Sequence, residues 1–386
     1  MTQEAYILGA KRTAVGKRGG SLAATRPDDL AGRLMAGLAD ECDLDGEAIE
    51  DVIMGCVTQM DEQGANIARI ASLIAGFPVT TCGTSVNRQC GSGLQAVNFA
   101  AQGVMSGMYD LAIGAGVESM SRVKMGADWG ELSPELTRRY DIINQGLSAE
   151  MIAEKWELGR RDLDELAVES HRRAIEAIDE GRFEREILPM EVTTPDGESI
   201  VFDTDEGPRR STSVEKVGAL DPAFKEDGVV TAAASSQISD GAAAVVVGSE
   251  KAASEHGLEP RAKIRAMALA GVDPTIMLTG PIPVTKKVLE KADLSLDDIG
   301  LFEVNEAFAP VVLAWARETS DRPEELLERT NVNGGAMALG HPLGCTGAKL
   351  TTTLLHEMER RDVRFGLVTL CIGFGQAVAT ILDREV

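Results

Sequence analysis

The chain has 386 residues, of which 44% are hydrophobic, and its 61 acidic and 38 basic side chains give a formal net charge of -23. A chain of this length and composition can bury one large core or two to three smaller ones, so we expect a globular, soluble protein. The acidic excess argues against a nucleic acid partner, because phosphate binding needs clustered lysines and arginines. The N-terminal stretch MTQEAYILGA lacks an apolar run long enough for a signal peptide or anchor, so we expect no membrane insertion and a cytoplasmic location.

Short apolar runs alternate with alanine-rich helical stretches along the chain, and this alternation is typical of an α/β fold. The predicted strands are, in chain order, 5–10, 51–57, 110–118, 241–249, 300–307 and 365–375. The predicted helices are 27–41, 93–107, 148–183 with a break near Gly159, 283–292 and 351–360. Between about 119 and 238 the chain becomes more charged, with turns rich in proline, glycine and aspartate, which indicates an inserted and more exposed domain.

Two distant segments share one pattern. TSVNRQCGSGLQAV (84–97) and TNVNGGAMALGHPLGCTGAKL (330–350) both begin T-x-V-N and continue into a loop of small residues that opens a helix. A glycine-punctuated strand follows each helix. The pattern predicts two copies of one α/β unit with converging loops, which would bring Cys90, His341 and Cys371 into one site. A coincidental likeness between two small-residue loops is the alternative.

The six cysteines form no C-x-x-C pair and no zinc-site spacing, so we expect free thiols in a reducing compartment. Cys42, Cys56 and Cys82 are expected to be buried packing thiols. Cys90 stands at the start of a predicted helix, where unpaired N–H groups and the helix dipole would lower its pKa and favour the thiolate. An inert buried cysteine is the alternative for this position.

His341 lies in the glycine-rich and nearly uncharged stretch 331–349, whereas the other three histidines lie in charged or turn-like segments and are interpreted as bystanders. A neutral imidazole close to a thiol makes an activated nucleophile, and a second cysteine, Cys371, is a candidate acid and base. Asn305 follows an apolar strand, where its amide must find a partner or hold a water. A turn-forming asparagine is the alternative there.

Seven stretches together resemble the landmarks of the thiolase family, in order and spacing, over the whole chain: SVNRQCGSGLQAV, GAGVESMS, SSQISDGAAA, GPIPVTKKVLEKA, FEVNEAFAP, NVNGGAMALGHPLGCTGAK and LCIGFGQ. The resemblance implies a thiolase fold, in which two similar βαβαβαββ halves form a five-layered αβαβα core with an inserted loop domain. The N-terminal half would comprise 1–118 and 239–262, and the C-terminal half 263–386. The loop domain, 119–238, would cover the active site and bind coenzyme A.

The resemblance also implies a role for each site residue. Cys90 resembles the nucleophile that carries the acyl group as a thioester, and His341 resembles the imidazole that activates it. Cys371 is similar to the general acid and base. Asn305 would position a water that forms an oxyanion hole with His341, and the backbone N–H groups of Cys90 and Gly373 would form another.

Substrate contacts are implied at four further positions. Arg209 resembles the arginine that packs on the adenine of coenzyme A, and Ser236 resembles the serine that hydrogen-bonds its pantetheine arm. Gln145 and Phe308 are further expected substrate-binding residues. Coenzyme A and acyl-CoA are substrates, and the resemblance implies no metal and no tightly bound cofactor. It implies a homodimer or homotetramer, with other β-oxidation enzymes as possible partners.

Two departures from the family pattern bear on the reaction. Asn144 and Gln145 replace the His-Met pair typical of acetoacetyl-CoA thiolases, and Phe374 stands where many members have glycine. Both favour a degradative 3-ketoacyl-CoA thiolase, with a biosynthetic acetyl-CoA acetyltransferase as the alternative. More distant alternatives are a Rossmann-type dehydrogenase, suggested by GAGVES, a non-catalytic lipid carrier, and a ketosynthase-type condensing enzyme.

Overall fold

The fold is taken from a computed structural model, which describes residues 3–386. Its strands are β1 (Tyr6–Arg12), β2 (Gly16–Lys17), β3 (Asp51–Gly55), β4 (Cys82–Val86), β5 (Leu111–Ser119), β6 (Met190–Thr193), β7 (Ser199–Phe202), β8 (Ser239–Gly248), β9 (Ala262–Gly271), β10 (Leu301–Val304), β11 (Phe365–Ile372) and β12 (Gln376–Asp383). Its α-helices are α1 (Pro27–Glu41), α2 (Ile67–Ile74), α3 (Ser92–Ser106), α4 (Pro134–Thr137), α5 (Gln145–Lys155), α6 (Arg160–Asp179), α7 (Val214–Gly218), α8 (Glu250–His256), α9 (Pro281–Ala292), α10 (Ala309–Thr319), α11 (Pro323–Glu328), α12 (Ala336–Leu339) and α13 (Leu343–Arg361).

Two similar halves share one large sheet, with strand order β10-β11-β12-β9-β1-β8-β5-β3-β4. In the first half β1 and β5 pair antiparallel with β8, and β3 pairs parallel with β4 and β5. In the second half β9 and β11 pair antiparallel with β12, and β10 pairs parallel with β11. The counterpart of β4 is reduced to a single parallel bridge between Phe302 and Thr330. The two βαβαβαββ halves expected from the family resemblance are therefore present.

The halves stack in five layers. One core cluster joins α1 and α2 to the strands of the first half, and another joins α9 and α10 to the strands of the second half. A third cluster, between the two sets of strands, is formed largely by α3 and α13. These two helices make the central layer, which explains why nearly all of α13 up to Met358 is buried.

The last predicted helix, 351–360, begins eight residues earlier than predicted, at Leu343. The other predicted strands and helices agree with the structure to within a few residues, and the long helical stretch is broken at Gly159 as expected. The sequence analysis missed the strands β2, β4, β9 and β12, the β6–β7 hairpin, and the helices α2, α4, α7, α8 and α10 to α12. The side chains of β4 lie at the sheet edge and are half-buried or exposed, so this strand lacks the apolar run by which the others were found. Cys82 in β4 is exposed and not buried as predicted, for the same reason.

The segment between β5 and β8 contains α4 to α7 and the β6–β7 hairpin. A buried ion pair attaches it to the first half, because Arg12 in β1 binds Glu186 at 2.5 Å and Asp205 at 2.8 Å. A separate core cluster joins α5 and α6 to α10 and to Cys371. The inserted segment thus packs beside the end of β11. Among the described residues, no helix is both long and apolar enough to cross a membrane.

Helices α3 and α13 touch backbone to backbone at their N-terminal turns. A Cβ atom added to Gly93 would lie 2.7 Å from the carbonyl oxygen of Gly344 and 2.8 Å from the backbone nitrogen of Ala348. A Cβ added to Gly347 would likewise meet the backbone of Leu94. Only glycine allows this approach, which brings the loop before α3 close to the loop before α13.

Gly93→Ala should therefore lower the free energy of unfolding by about 1–3 kcal/mol, because the added methyl group forces two buried backbones apart. Gly130→Ala is the matched control, since Gly130 has no atom within 4 Å of its added Cβ and its φ is not positive. It should change stability by less than about 0.5 kcal/mol. Urea unfolding of both variants measures the difference, and equal stability of the two would contradict close packing at this crossing.

Candidate active site

Cys90 lies in the short connection between β4 and α3, with Gly91 at the helix N-cap. Its side chain is buried and clusters with Val57, Met120 and Leu343. Gln89, directly before it, has φ +43°, in the left-handed region that non-glycine residues seldom adopt. The thiol thus stands on a sharp turn against an apolar wall, a position that can expose a nucleophile to a bound substrate.

Burial decides the charge of Cys90. It raises the pKa of the thiol to about 11, although hydrogen bonds from the backbone N–H groups of Gly373 and of Cys90 itself act in the opposite direction. The prediction of a thiolate was therefore wrong for the resting protein. The helix begins only at Ser92, and its favourable N–H groups do not offset the loss of solvent around the sulfur.

His341 lies between α12 and α13, and both its backbone N–H and its two ring nitrogens make polar contacts. Its backbone N–H donates to the carbonyl oxygen of Gln237 at 3.0 Å. Its Nδ1 lies 2.6 Å from Oγ1 of Thr346, and its Nε2 lies 3.3 Å from Nδ2 of Asn305. Burial lowers the pKa of the imidazole to about 3, with the charge of Lys349 as a second cause. His341 is therefore neutral at physiological pH and able to accept a proton.

Asn305 directly follows β10, and its backbone N–H donates to Thr369 in the adjacent parallel strand β11. The carboxyl ends of these strands meet at one edge, which places Asn305 near Cys371 at the end of β11. Asn305 Oδ1 is buried and hydrogen-bonds no protein atom. A buried amide oxygen of this kind can accept a hydrogen bond from a ligand or a water.

Cys371 and Gly373 complete the cluster from the end of β11. Cys371 is fully buried, and burial raises the pKa of its thiol, with the negative charge that Cys90 would carry as a second cause. The N–H of Gly373 points at the Cys90 sulfur. A Cβ atom at 373 would meet Oε1 of Gln89, so a larger residue there would require the Gln89 side chain to move. The structure thus brings Cys90 next to Cys371 and Gly373, and His341 next to Asn305.

The four predicted substrate-binding residues lie at different distances from this cluster. Gln145 lies close to it, because its Nε2 would be 3.1 Å from a Cβ atom on Gly373. Phe308 packs edge to face on Phe224 and shares a core cluster with Cys371. Ser236 is half-buried and its backbone N–H donates to Ala307, the residue before Phe308. Arg209 is exposed; its backbone N–H donates to Nδ1 of His171 and its carbonyl oxygen accepts from the N–H of Thr212.

The sequence analysis missed several residues that hold the site together. Gln237 donates from Nε2 to the carbonyl oxygens of Met337 and Ala338 and so fixes α12, the short helix before His341. Glu118 is buried and accepts from the backbone N–H groups of Val57 and Gly344, which ties the first half to the start of α13. Other such residues are Thr346 and Glu306, the latter bound to Ser170, Asn331 and Met337. No sequence spacing indicates these contacts, except that Thr346 lies one helical turn after Pro342.

No group of three or more histidine, cysteine or carboxylate side chains within residues 3–386 is arranged to hold a metal ion.

Comparison with known proteins identifies the class. The model of the thiolase N-terminal domain matches residues 5–251, and that of the thiolase C-terminal domain matches residues 258–384. Steroid 3-ketoacyl-CoA thiolase FadA6 of Mycobacterium tuberculosis is 48% identical over 99% of this chain and 94% of its own length. The 3-ketoacyl-CoA thiolase of Bacillus subtilis is 44% identical over 99% of both chains.

A solved structure agrees with these sequence matches. The acetyl-CoA acetyltransferase of Bacillus anthracis superimposes with a TM-score of 0.90, at 38% identity and over 99% of each chain. The chain therefore belongs to the thiolase family, and it is an acyltransferase with the thiolase fold.

The raised pKa of Cys90 predicts how its reaction with iodoacetamide depends on pH. Only the thiolate reacts, and below a pKa of about 11 its population rises about tenfold per pH unit. The alkylation rate of Cys90 should therefore climb steadily from pH 6 to pH 9, as measured by quantifying the labelled peptide in a mass spectrometer. A rate that levels off near pH 7 would show that the resting residue is a thiolate. The exposed Cys82 is the internal control for reagent access.

Proposed function

We propose that the chain is a 3-ketoacyl-CoA thiolase, which cleaves 3-oxoacyl-CoA with coenzyme A into acetyl-CoA and a shortened acyl-CoA. The observation that carries the proposal is the cluster itself: Cys90 beside Cys371 and the Gly373 N–H, with a neutral His341 bound to Asn305. Relatives at 43–48% identity that are named 3-ketoacyl-CoA thiolases support the same activity.

In the first half of the reaction, His341 takes the proton from the Cys90 thiol and the sulfur attacks the 3-oxo carbon. The backbone N–H groups of Cys90 and Gly373 stabilise the oxyanion of the tetrahedral adduct. The bond between C2 and C3 then breaks. The acyl group stays on Cys90 as a thioester, and the electron pair passes into the enolate of acetyl-CoA.

Cys371 donates its thiol proton to C2 of that enolate, and acetyl-CoA leaves. The enolate oxygen would be stabilised by protonated His341 and by a water held at Oδ1 of Asn305, which accepts from no protein group. In the second half, the Cys371 thiolate takes the proton of the incoming coenzyme A. The new thiolate attacks the acyl carbon, and the released Cys90 sulfur recovers its proton from His341. No redox change occurs, and each group returns to its starting state.

The inserted segment 119–238 is proposed to be a loop domain that takes part in substrate binding. The N-terminal half would then consist of 1–118 and 239–262, and the C-terminal half of 263–386. Arg209 is exposed and therefore accessible to the adenine of coenzyme A, and Ser236 precedes Gln237, which fixes α12 before His341.

We propose a homodimer or homotetramer, supported by the incompletely paired edge strand β4 and the exposed Val79 near it. Six free thiols suit a reducing compartment, which supports a cytoplasmic location and a role beside other β-oxidation enzymes.

The acyl chain is proposed to lie against the apolar wall beside Cys90. Met120 belongs to this wall and starts the loop that also carries Trp129. The Trp129 ring lies 5.5 Å from that of Phe374, the residue after Gly373. Phe374 has φ +58°, an arrangement that costs about 1–2 kcal/mol for a non-glycine residue. A bulky side chain kept in a strained conformation next to the reacting groups indicates a contact with substrate.

The experiment compares thiolysis of acetoacetyl-CoA with thiolysis of a C6 to C10 3-oxoacyl-CoA series, followed by loss of the enolate absorbance. We expect higher kcat/KM on the longer chains, because they bury more apolar surface. Activity confined to acetoacetyl-CoA would favour the alternative, an acetyl-CoA acetyltransferase, which the Bacillus anthracis structure keeps open. Absence of any thiolysis would contradict the proposed function.

Phe374→Gly and Trp129→Ala should each lower kcat/KM for the C10 substrate by about 10-fold, which is the loss expected for an apolar contact of this size. The kcat/KM for acetoacetyl-CoA should stay within about twofold of the wild-type value. The glycine variant also relieves the strained φ, so instability would not explain a loss. Met125→Ala is the control, because Met125 lies in the same loop and is equally exposed at 53%. Equal losses on short and long substrates would contradict an acyl-chain contact.

A further inference from the structure

The Nδ1 atom of the His341 imidazole is hydrogen-bonded to a hydroxyl group that has no role in the proposed reaction. Thr346 lies in the first turn of α13, and its Oγ1 is 2.6 Å from His341 Nδ1. The same Oγ1 is 2.8 Å from the carbonyl oxygen of Pro342. Thr346 is fully buried and His341 is 4% exposed, so solvent does not compete for these contacts.

One arrangement of protons satisfies both contacts. The Pro342 oxygen has no proton, so a separation of 2.8 Å is favourable only if the Thr346 hydroxyl donates to it. A threonine hydroxyl has one proton, so its oxygen can then only accept from the ring. His341 Nδ1 must therefore carry a proton and donate to Thr346. In the neutral ring Nε2 is then unprotonated.

The contact on the other side of the ring fits this assignment. Nδ2 of Asn305 lies 3.3 Å from Nε2 of His341. An amide N–H can donate a hydrogen bond to a ring nitrogen only if that nitrogen carries no proton. Rotating the amide would place Oδ1 against a lone pair, which is repulsive. The amide therefore keeps Oδ1 turned away from the ring, where it meets no protein group.

We propose that Thr346 is a positioning residue that fixes His341 in the Nδ1–H tautomer, so that Nε2 is the atom that takes the proton of Cys90. This inference rests on the proposed function for the transfer itself. The proton leaves the Cys90 sulfur and binds Nε2, while the Nδ1–H bond stays intact and directed at Thr346. The resulting imidazolium keeps one charge-assisted hydrogen bond in a buried pocket, which stabilises it. Without Thr346, the neutral ring could place its proton on Nε2 and lose its function as a base.

The tautomer can be read by NMR of the enzyme labelled with 15N-histidine, because protonated and unprotonated ring nitrogens have distinct shifts. The His341 signals are those that disappear in His341→Asn. We expect a protonated Nδ1 and an unprotonated Nε2 in the wild type and in Thr346→Ser, and a gain of the other tautomer in Thr346→Val. A protonated Nε2 in the neutral wild-type ring would overturn the inference, whether or not the enzyme cleaves 3-oxoacyl-CoA.

Steady-state thiolysis tests the consequence for catalysis. Thr346→Val should lower kcat about 10- to 100-fold with little change in KM, the loss expected for one hydrogen bond to a charged group. Thr346→Ser keeps the hydroxyl and should recover most of the rate. Thr352→Val is the matched control, since Thr352 is equally buried on the same helix and its hydroxyl also donates to the carbonyl four residues earlier.

Similar kcat values for Thr346→Val and Thr352→Val would overturn the inference. Both variants lose an equivalent hydrogen bond to a helix carbonyl, but only Thr346→Val also loses the contact with the His341 ring. A Thr346→Ser variant as slow as Thr346→Val would overturn it as well. If Thr346→Val does not fold, the wild-type spectrum and the serine variant still decide between the two tautomers.

Discussion

The active site depends on one packing constraint, the close approach of α3 and α13 in the central layer. The loop before each helix carries a proposed reacting group, Cys90 before α3 and His341 before α13. Glycines at the crossing, Gly93 and Gly347, let the two backbones touch. The duplicated architecture thus places equivalent ends of two similar units against one another, and the site forms where they meet.

Burial is the second determinant of the chemistry. It makes both thiols weak acids and the imidazole a weak base, so the resting site holds neutral groups and no ion pair. In the proposed reaction charge would appear only when substrate is bound, and backbone N–H groups are already aimed at the Cys90 sulfur. A preorganised site of this kind spends little energy on reorientation during the reaction. The sulfur would be protected from unproductive reactions by the same burial.

Much of the architecture could be predicted from the sequence, because the two T-x-V-N segments are each followed by a helix and an apolar strand. This repeated pattern indicates the two similar halves. The edge strand β4 was missed because it lacks an apolar run. The charge of Cys90 was predicted wrongly because a helix start is visible in a sequence and desolvation is not. Contacts such as those of Gln237 and Thr346 depend on side-chain direction in the folded chain, which residue types alone do not determine.

Acylation of the intact protein tests the central claim most directly. The wild type and the variants Cys90→Ser and Cys371→Ser would be incubated with a 3-oxoacyl-CoA, digested and mapped by mass spectrometry. The account predicts an acyl group on the Cys90 peptide of the wild type, its accumulation in Cys371→Ser, and its absence from Cys90→Ser. Equal labelling of the two variants, or an acyl group on Cys371, would contradict the division of labour between the two thiols.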